Sequence, residues 1–405
     1  MVVSFRFESF GISFLSSAIK DVIWAIIVLF SFAYTIRVSK KEVDLPLLVL
    51  FVYLLYYCFH LYSYVPFSDA INGIRYNVPN IVLVVLLLNL ARNDRFVYDV
   101  NLFAKLIIIL GALQALIGLV EFFYADIIGV IYGVDKEQMN HVTLAAGFRL
   151  ISLFRNPINY GIFLNFSLAS LLYFRLKGKV GLLIFIVIYL LILFNIFFTL
   201  SRMALVSSTL LTLLFFIYRL RKQPIKYAFF FSILMFFAFS MVVYFYHMIL
   251  ALDLKVIERV AGIANIETYT ENIRVLHWID AIKHMDNVFY QLLGLGAGVS
   301  IPGDSRGFNI ENSYVTIFVE LGYLGLTLFL VVLLNFFYRL CYVRDIDCQF
   351  YIMSLMLVFL VMSTTNDMIR NYPFSFWFWM TFYFCYCQSQ CRDGVRRRND
   401  IYSHP

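Results

Sequence analysis

The chain has 405 residues, of which 62% are hydrophobic and only 14% are charged, and this composition excludes a soluble globular protein. Soluble domains carry about 25% charged residues and about 45–50% apolar ones. The 44 Phe, the 28 Tyr and the mean hydropathy of +0.82 fit a chain that faces lipid. The net charge of +7 comes from short basic clusters between apolar runs, which indicates anchoring at the cytoplasmic face and not nucleic-acid binding.

Apolar runs predict an all-α integral membrane protein, one polytopic domain over residues 1–405 with about eleven (10–12) transmembrane helices. A spanning helix needs about 20 apolar residues. The predicted spans are 21–36, 45–64, 78–91, 103–123, 157–174, 180–199, 203–218, 227–248, 314–338, 349–365 and 371–387. Residues 7–19 either extend the first span or lie as a helix in the membrane interface.

The Lys and Arg residues of the short loops predict the orientation of the chain. One set of alternate loops carries Arg37, Lys40, Lys41, Arg92, Arg95, Arg175, Lys177, Lys179, Arg219, Arg221, Lys222, Lys226, Arg339, Arg344, Arg392, Arg396, Arg397 and Arg398. The other set carries only Arg6, Lys20, Arg75, Arg202 and Arg370. This bias predicts a cytoplasmic C-terminus, and an odd number of spans then places the N-terminus outside.

Two connections, residues 124–156 and 249–313, are longer than turns, and both fall on the poorly charged outer side. Loops longer than about 12–15 residues are usually functional or disordered. The second loop contains an amphipathic pattern over residues 271–286, with Val275, Trp278, Ile279, Ile282 and Met285 on its apolar side. The pattern predicts a helix on the membrane surface or against the bundle, followed by a flexible glycine-rich turn, LLGLGAGVSIPG, back toward the bilayer.

Few charged residues lie inside the predicted spans. Lys105 and Glu121 lie at the ends of their helix, where snorkelling to the interface is the ordinary explanation. Glu320 lies about 10 Å into its helix at 1.5 Å per residue. It is open to two interpretations, a structural hydrogen-bonding role or a place in a functional site.

Arginines are the outstanding residues of the outer face. Arg202 lies in FFTLSRMALV between two apolar runs, with almost no loop to solvate it, so an anion or another acceptor is expected to meet it. Arg149 and Arg155 flank a short apolar stretch, and Arg274 lies on the polar side of the amphipathic pattern. The planar guanidinium fork suits a diphosphate. The alternative for each is an arginine that snorkels or binds a backbone carbonyl.

The long loop ends in Glu311, Asn312, Ser313 and Tyr314, at the start of the next predicted helix. The Glu311 carboxylate near guanidinium groups has the chemistry of a general base toward a hydroxyl. The alternative is that Glu311 caps the helix that follows, because an acidic group near a helix N-terminus is favourable. Spacing alone favours the cap.

The six cysteines lie outside the two long loops, and none has zinc-type spacing with a histidine. They are Cys58, Cys341, Cys348, Cys385, Cys387 and Cys391. The sequence therefore predicts neither a disulfide framework nor a metal site.

Four short segments resemble the O-antigen polymerase and O-antigen ligase superfamily of bacterial membrane glycosyltransferases. They are RLISLFRNPINYGIFLNF (149–166), FFTLSRMALVSSTLL (197–211), NIRVLHWIDAI (272–282) with LGLGAGVS (293–300), and ENSYVTIFVELGYLGLTLFL (311–330). Each is degenerate, and their order around one long outer loop is the more specific feature. The resemblance covers roughly residues 145–335.

The resemblance implies a GT-C-like helical membrane fold that acts on undecaprenyl-diphosphate-linked sugars at the outer, periplasmic face of the bacterial plasma membrane, without a cofactor. It implies that Arg202 and Arg274 hold the lipid diphosphate, and we assign Glu311 as the base. These three are the predicted catalytic residues. The predicted substrate-binding residues are Arg149, Arg155, Asn156, Asn312, Tyr314 and Glu320. A chain-length regulator and a flippase are the expected protein partners.

The resemblance leaves polymerase and ligase open. Ligases typically carry a histidine just before the asparagine of the last segment, where this chain has Glu311, and this departure favours a polymerase. A polysaccharide flippase or transporter is an alternative from another class. It predicts paired repeats, Gly- or Pro-interrupted helices and charges at mid-membrane.

Overall fold

A computed structural model describes residues 45–59, 80–84, 99–124, 149–154, 156–222, 273–300, 310–371 and 373–402, with isolated positions at 70, 73, 78, 87 and 308. The helices in these ranges are α1 (Leu45–Phe59), α2 (Val100–Phe123), α3 (Pro157–Leu176), α4 (Leu182–Phe198), α5 (Arg202–Lys222), α6 (Ile273–Lys283), α7 (Val288–Leu293), α8 (Ser313–Leu340), α9 (Ile346–Met362) and α10 (Phe374–Tyr402). A single 3-10 turn covers Ser152–Phe154, and the described residues contain no strand. The prediction of an all-α protein is confirmed for this part of the chain.

Three of these helices are long and apolar enough to cross a membrane: α2, α8 and the Arg202–Leu220 part of α5. Shorter apolar helices run over Leu48–Tyr57, Leu182–Phe198 and Ile346–Met362. The chain is therefore a helical membrane protein. The predicted spans 21–36 and 227–248 lie outside the described residues, as do half of 78–91 and most of the loop 124–156. The number of eleven spans and the GT-C-like fold stay predictions.

The chain forms two compact units. Unit one comprises residues 1–98, 276–344 and 363–405, and unit two comprises residues 99–275 and 345–362. In unit one α8 packs against α1, α7 and α10. In unit two α3 packs against α2, α4, α5 and α9.

Helix α3 is the core of unit two. Asn156 caps it, because its side-chain oxygen accepts hydrogen bonds from Ile158 N and Asn159 N, and Pro157 occupies the first position, where no N–H is needed. Nearly every side chain from Tyr160 to Leu176 is buried. Helix α4, by contrast, leaves Leu183 77% exposed. A helix that is apolar all round and buried is surrounded by protein, whereas α4 turns an apolar face outward, as expected of lipid contact.

Small residues let the helices of unit two approach one another closely. A Cβ added at Gly111 of α2 would lie 2.1 Å from Ser167 Oγ, and one at Gly118 would lie 2.1 Å from Asn195 Oδ1 of α4. Close approach at small residues is the usual way in which helices associate within lipid. The polar side chains at these crossings donate to backbone carbonyls, as Ser167 Oγ does to Phe163 O at 3.0 Å.

Helix α6, which belongs to unit one from Leu276 onward, lies within the predicted stretch 271–286, but the face packed against protein differs from the predicted one. Ala281 and Met285 are buried in a core with Leu295, Val299, Ile310 and Val319, and Trp278 packs against it. Ile279 and Ile282, which belonged to the predicted apolar side, are 44% and 43% exposed. The helix is rotated toward Ala281 because Gly294–Ser300, which lies under it, is wholly buried.

Candidate functional site

The long helix α8 is broken at Gly322, whose φ of 66° and ψ of −167° are not helical. The break frees carbonyls that an uninterrupted helix would have paired. Val319 O accepts from Leu295 N at 2.8 Å, and Glu320 O accepts from Gly296 N at 3.0 Å. Backbone amides of the glycine-rich segment thus take the place of the helical donors that these carbonyls lose at the break.

Two glycines make this contact sterically feasible. Gly294 has φ +88°, and a Cβ there would lie 2.2 Å from Glu320 O. Gly322 has φ +66°, and a Cβ there would lie 2.4 Å from Leu292 O. Both positions therefore require glycine for two reasons: the positive φ of the backbone and the close contact with a neighbouring carbonyl. The segment predicted as a flexible turn is instead a fixed part of the interior of unit one.

The side chain of Glu320 joins this segment to two further elements. It is 1% exposed. One carboxylate oxygen, Oε1, accepts from Gly298 N at 2.8 Å and from Ser300 Oγ at 3.0 Å. The other, Oε2, accepts from Tyr57 OH of α1 at 3.0 Å. A buried carboxylate with this many donors is held in one orientation.

Arg370, in the turn between α9 and α10, supplies the positive charge that pairs with Glu320. Its side chain is 9% exposed, and its guanidinium also donates to Ser300 Oγ and lies 3.5 Å from Asp367 Oδ2. Burial opposes the charge on Arg370, but the carboxylates of Glu320 and Asp367 outweigh it and raise the pKa of the guanidinium. We call Tyr57, Ser300, Glu320, Asp367 and Arg370 the buried charge cluster.

Asp367 is the second carboxyl group that Arg370 contacts. Burial raises the pKa of Asp367 to about 6, against the opposing effect of the Arg370 charge, and the Glu320 carboxylate adds to the rise. A proton on Asp367 leaves one negative and one positive charge in the cluster. Buried charges are tolerated in such balanced, hydrogen-bonded groups.

The N-terminus of α8 is fastened to the same turn. Asn312 caps the helix, because its Oδ1 accepts from Tyr314 N at 2.9 Å and Val315 N at 3.1 Å, and its Nδ2 donates to Thr364 O at 2.9 Å. Ser313 Oγ accepts from Met368 N at 2.8 Å. The capping role that spacing favoured for Glu311 therefore belongs to Asn312, and Glu311 is a half-buried residue just before the cap.

In unit two the segment before α3 is tied to the turn between α4 and α5. Arg149 Nε donates to Thr199 O at 2.8 Å, and Leu150 N donates to Phe198 O at 3.0 Å. Arg149 thus makes the carbonyl contact that was the alternative to phosphate binding. Further along, Asn165 Nδ2 donates to Ala204 O at 3.0 Å. The first two segments of the family resemblance therefore pack against each other.

Glu121 holds this segment from the other side. Its carboxylate is 0% exposed and accepts from Ser152 N at 2.7 Å and Ile151 N at 3.2 Å. Ser152 has φ +44°, a conformation rarely adopted by residues other than glycine, and its Oγ donates to Gln114 Oε1 at 2.8 Å. The expectation that Glu121 snorkels at the helix end was wrong, because these two amides recruit its carboxylate inward. Lys105 of the same helix is exposed, as expected.

The other predicted site residues lie at the ends of helices. Arg202 is the first residue of α5 and is half-buried, after a turn in which Leu200 has φ +50°. Arg274 is half-buried in the first turn of α6, and Tyr314 is half-buried at the start of α8. Arg155 lies outside the described residues. The catalytic and substrate-binding assignments of these residues stay predictions.

Sequence reasoning missed the partners of Glu320. The loop charges identify Arg370 only as one basic residue of an outer loop, although a carboxylate at the depth of Glu320 requires a cation or several donors. Asp367 and Arg370 also have the i, i+3 spacing of a local ion pair, which was a usable signal. Within the described ranges, no group of three His, Cys, Asp or Glu residues is placed to hold a metal ion.

Comparison with known proteins adds no relative to these observations. No protein-family model matches the chain, and no curated protein sequence matches it. The resemblance to the O-antigen polymerase and ligase superfamily therefore rests on the four segments quoted above.

Proposed function

We propose that this chain is a membrane glycosyltransferase that polymerises undecaprenyl-diphosphate-linked oligosaccharide repeat units, as in the synthesis of O-antigen or a similar surface polysaccharide. The reaction joins two lipid-linked substrates. A hydroxyl at the non-reducing end of one repeat unit attacks the anomeric carbon of the growing chain on a second lipid. The bond between that carbon and the diphosphate oxygen breaks, and undecaprenyl diphosphate leaves with the electron pair.

The observation that supports this proposal is that the segments carrying the resemblance meet in pairs. Segment 149–166 contacts segment 197–211 through Arg149 and Asn165. Segment 293–300 contacts segment 311–330 through Glu320 and the two glycines that fit the break in α8. The contacts are made by polar and glycine residues and not only by apolar ones, so hydropathy alone does not account for them.

Three residues carry the chemistry in this proposal. Arg202 and Arg274 stabilise the negative charge that develops on the leaving diphosphate, and such electrostatic stabilisation is usually the largest single contribution to catalysis. Glu311 accepts the proton of the attacking hydroxyl. Because Asn312 performs the capping of α8, Glu311 is not required for that role.

The charge bias of the loops supports an active site on the periplasmic side of the plasma membrane. The test uses single cysteines in a cysteine-free background. A cysteine at Asp304 should react with a membrane-impermeant thiol reagent when only the outer membrane is permeabilised. A cysteine at Lys222 should react only after the inner membrane is lysed, and the reverse pattern would place the proposed site in the cytoplasm.

A flippase or transporter is the second candidate, because two observations favour it. Helix α8 is interrupted at Gly322, and buried charges gather beside the interruption at Glu320 and Arg370. Broken helices and buried charges mark substrate sites in many transporters. In this chain, however, Glu320 is bound by Tyr57, Ser300 and a backbone amide, which suits a structural fastening equally well.

Deletion of the gene in a host whose surface polymer is lipopolysaccharide separates the candidates. Loss of a polymerase leaves repeat units that are still transferred singly, so lipopolysaccharide should show core plus one unit and no ladder. Loss of a ligase would give bare core with long chains on undecaprenyl diphosphate. Loss of a flippase would give bare core with single lipid-linked units held on the cytoplasmic face. Either bare-core result would contradict the polymerase proposal.

A further inference from the structure

A shallow groove opens in unit one between α1, α8 and α10, away from the four segments' contacts described above. One wall is apolar and consists of Val49 and Leu50 of α1, Phe336 of α8 and Phe382 of α10. Asn335 and Arg339, one helical turn apart on α8, form its polar end. The groove therefore combines an apolar wall with a cation.

Arg339 has no carboxylate partner among the described residues. Its guanidinium lies 5.4 Å from the ring centroid of Tyr386, and its Nε is buried without a hydrogen-bond acceptor. Among the described residues no carboxylate lies within ion-pair distance of it, in contrast to Arg370, which contacts two. No hydrogen bond from the Asn335 side chain to the described residues is present either. A cation and an amide at the end of an apolar groove suit an anion that carries a hydrocarbon tail.

We propose that this groove binds an anionic phospholipid. Its phosphate is bound by Arg339 and Asn335, and one acyl chain lies along Val49, Leu50 and Phe382. Arg339 lies in the last turn of a candidate membrane span. The loop charges put this end on the cytoplasmic side, where basic pockets between helices bind anionic headgroups. A free phosphate ion would leave the apolar wall unused.

The experiment is native mass spectrometry of the purified full-length chain with added phosphatidylglycerol or phosphatidylcholine. Phosphatidylglycerol should bind the wild type more tightly, and Arg339→Gln should weaken its binding about tenfold, as expected for loss of one charge-assisted contact. Arg344→Gln is the matched control, because Arg344 is exposed just beyond the same helix and carries the same charge. Arg344→Gln should leave binding unchanged.

A second pair of measurements keeps the proposal falsifiable if Arg339→Gln is poorly folded. Arg339→Lys keeps the charge but loses the fork, so it should retain part of the phosphatidylglycerol binding. Val49→Phe fills the groove and keeps every charge, and it should weaken binding of the same lipid. Equal loss in Arg339→Gln and Arg344→Gln would indicate attraction by general surface charge and would overturn the proposal. Tighter Arg339-dependent binding of undecaprenyl phosphate than of phosphatidylglycerol would also overturn it, by making the groove a substrate site.

Discussion

Removal of Arg370 gives the sharpest test of the buried charge cluster. Arg370→Gln keeps a polar side chain but removes the only cation that contacts Glu320 in the described residues. Glu320 would then remain 1% exposed, with Tyr57, Ser300 and one backbone amide as its donors. The variant therefore leaves a buried negative charge without compensation.

The expected loss follows from the burial of both partners. Removal of one member of a buried ion pair costs about 3–5 kcal/mol, because the other charge stays desolvated. At roughly 2 °C per kcal/mol, the low end for large domains, the melting temperature should fall by about 6–10 °C. The double variant Glu320→Gln with Arg370→Gln removes both charges, so it should be more stable than Arg370→Gln alone.

The assay is thermal unfolding of the detergent-purified chain, followed by loss of the monodisperse peak in size-exclusion chromatography. Arg344→Gln serves as the control, because Arg344 is exposed and its loss should change the melting temperature by about 1 °C or less. A melting temperature for Arg370→Gln equal to that of the wild type would refute the reasoning. So would a double variant whose loss equals the sum of the two single losses.

Three further predictions concern the proposed reaction and the effect of pH. Arg202→Ala and Arg274→Ala should each abolish the polymer ladder while the protein remains at its normal level. Lysine at either position should restore only part of the ladder, because a point charge replaces the planar guanidinium fork. Normal ladders from both alanine variants would exclude these residues from the site. Glu311→Gln should reproduce the gene deletion if Glu311 is the base, whereas a near-normal ladder would exclude that role. The pKa of Asp367, raised by burial to about 6, exceeds the ordinary 3.8. On acidification the folded chain therefore binds a proton at Asp367 at a higher pH than the unfolded chain does. Asp367 should thus add stability as pH falls from about 7 to about 4. Asp367→Asn should flatten the plot of melting temperature against pH over that range. An unchanged slope would contradict the raised pKa of Asp367.

The helices of this chain are readable from its sequence because the length of an apolar run determines them directly. The predicted span 157–174 corresponds to Pro157–Leu176, and 180–199 corresponds to Leu182–Phe198. Two helices continue well past their predicted ends: α5, predicted to end at 218, continues to Lys222, and α10, predicted to end at 387, continues to Tyr402. Hydropathy detects only the apolar part of a helix, whereas the helical hydrogen bonds continue through the charged residues that follow it.

The interior contacts were not readable, because they depend on pairs that are distant in the chain. Gly322 interrupts a continuous apolar run, so hydropathy shows no sign of the break in α8. Glu320 and Arg370 are separated by 50 positions, and only the packing of unit one brings them together. Glu121 lies near a helix end, where a charged side chain is usually exposed. Its carboxylate is buried instead, because two backbone amides of a distant segment donate to it. Asn312 was recognised as part of a notable group, but its capping role required the backbone geometry.

The break in α8 also has a consequence for how the chain is inserted into the bilayer. Carbonyls freed by such a break cannot remain unpaired in hydrocarbon, since each would cost several kcal/mol. Their donors are Leu295 N, Gly296 N and the hydroxyl of Tyr56, which donates to Leu321 O at 2.9 Å. All three precede α8 in the chain, so synthesis delivers them before α8 leaves the ribosome. The donors that the break in α8 requires are therefore already made when α8 is synthesised.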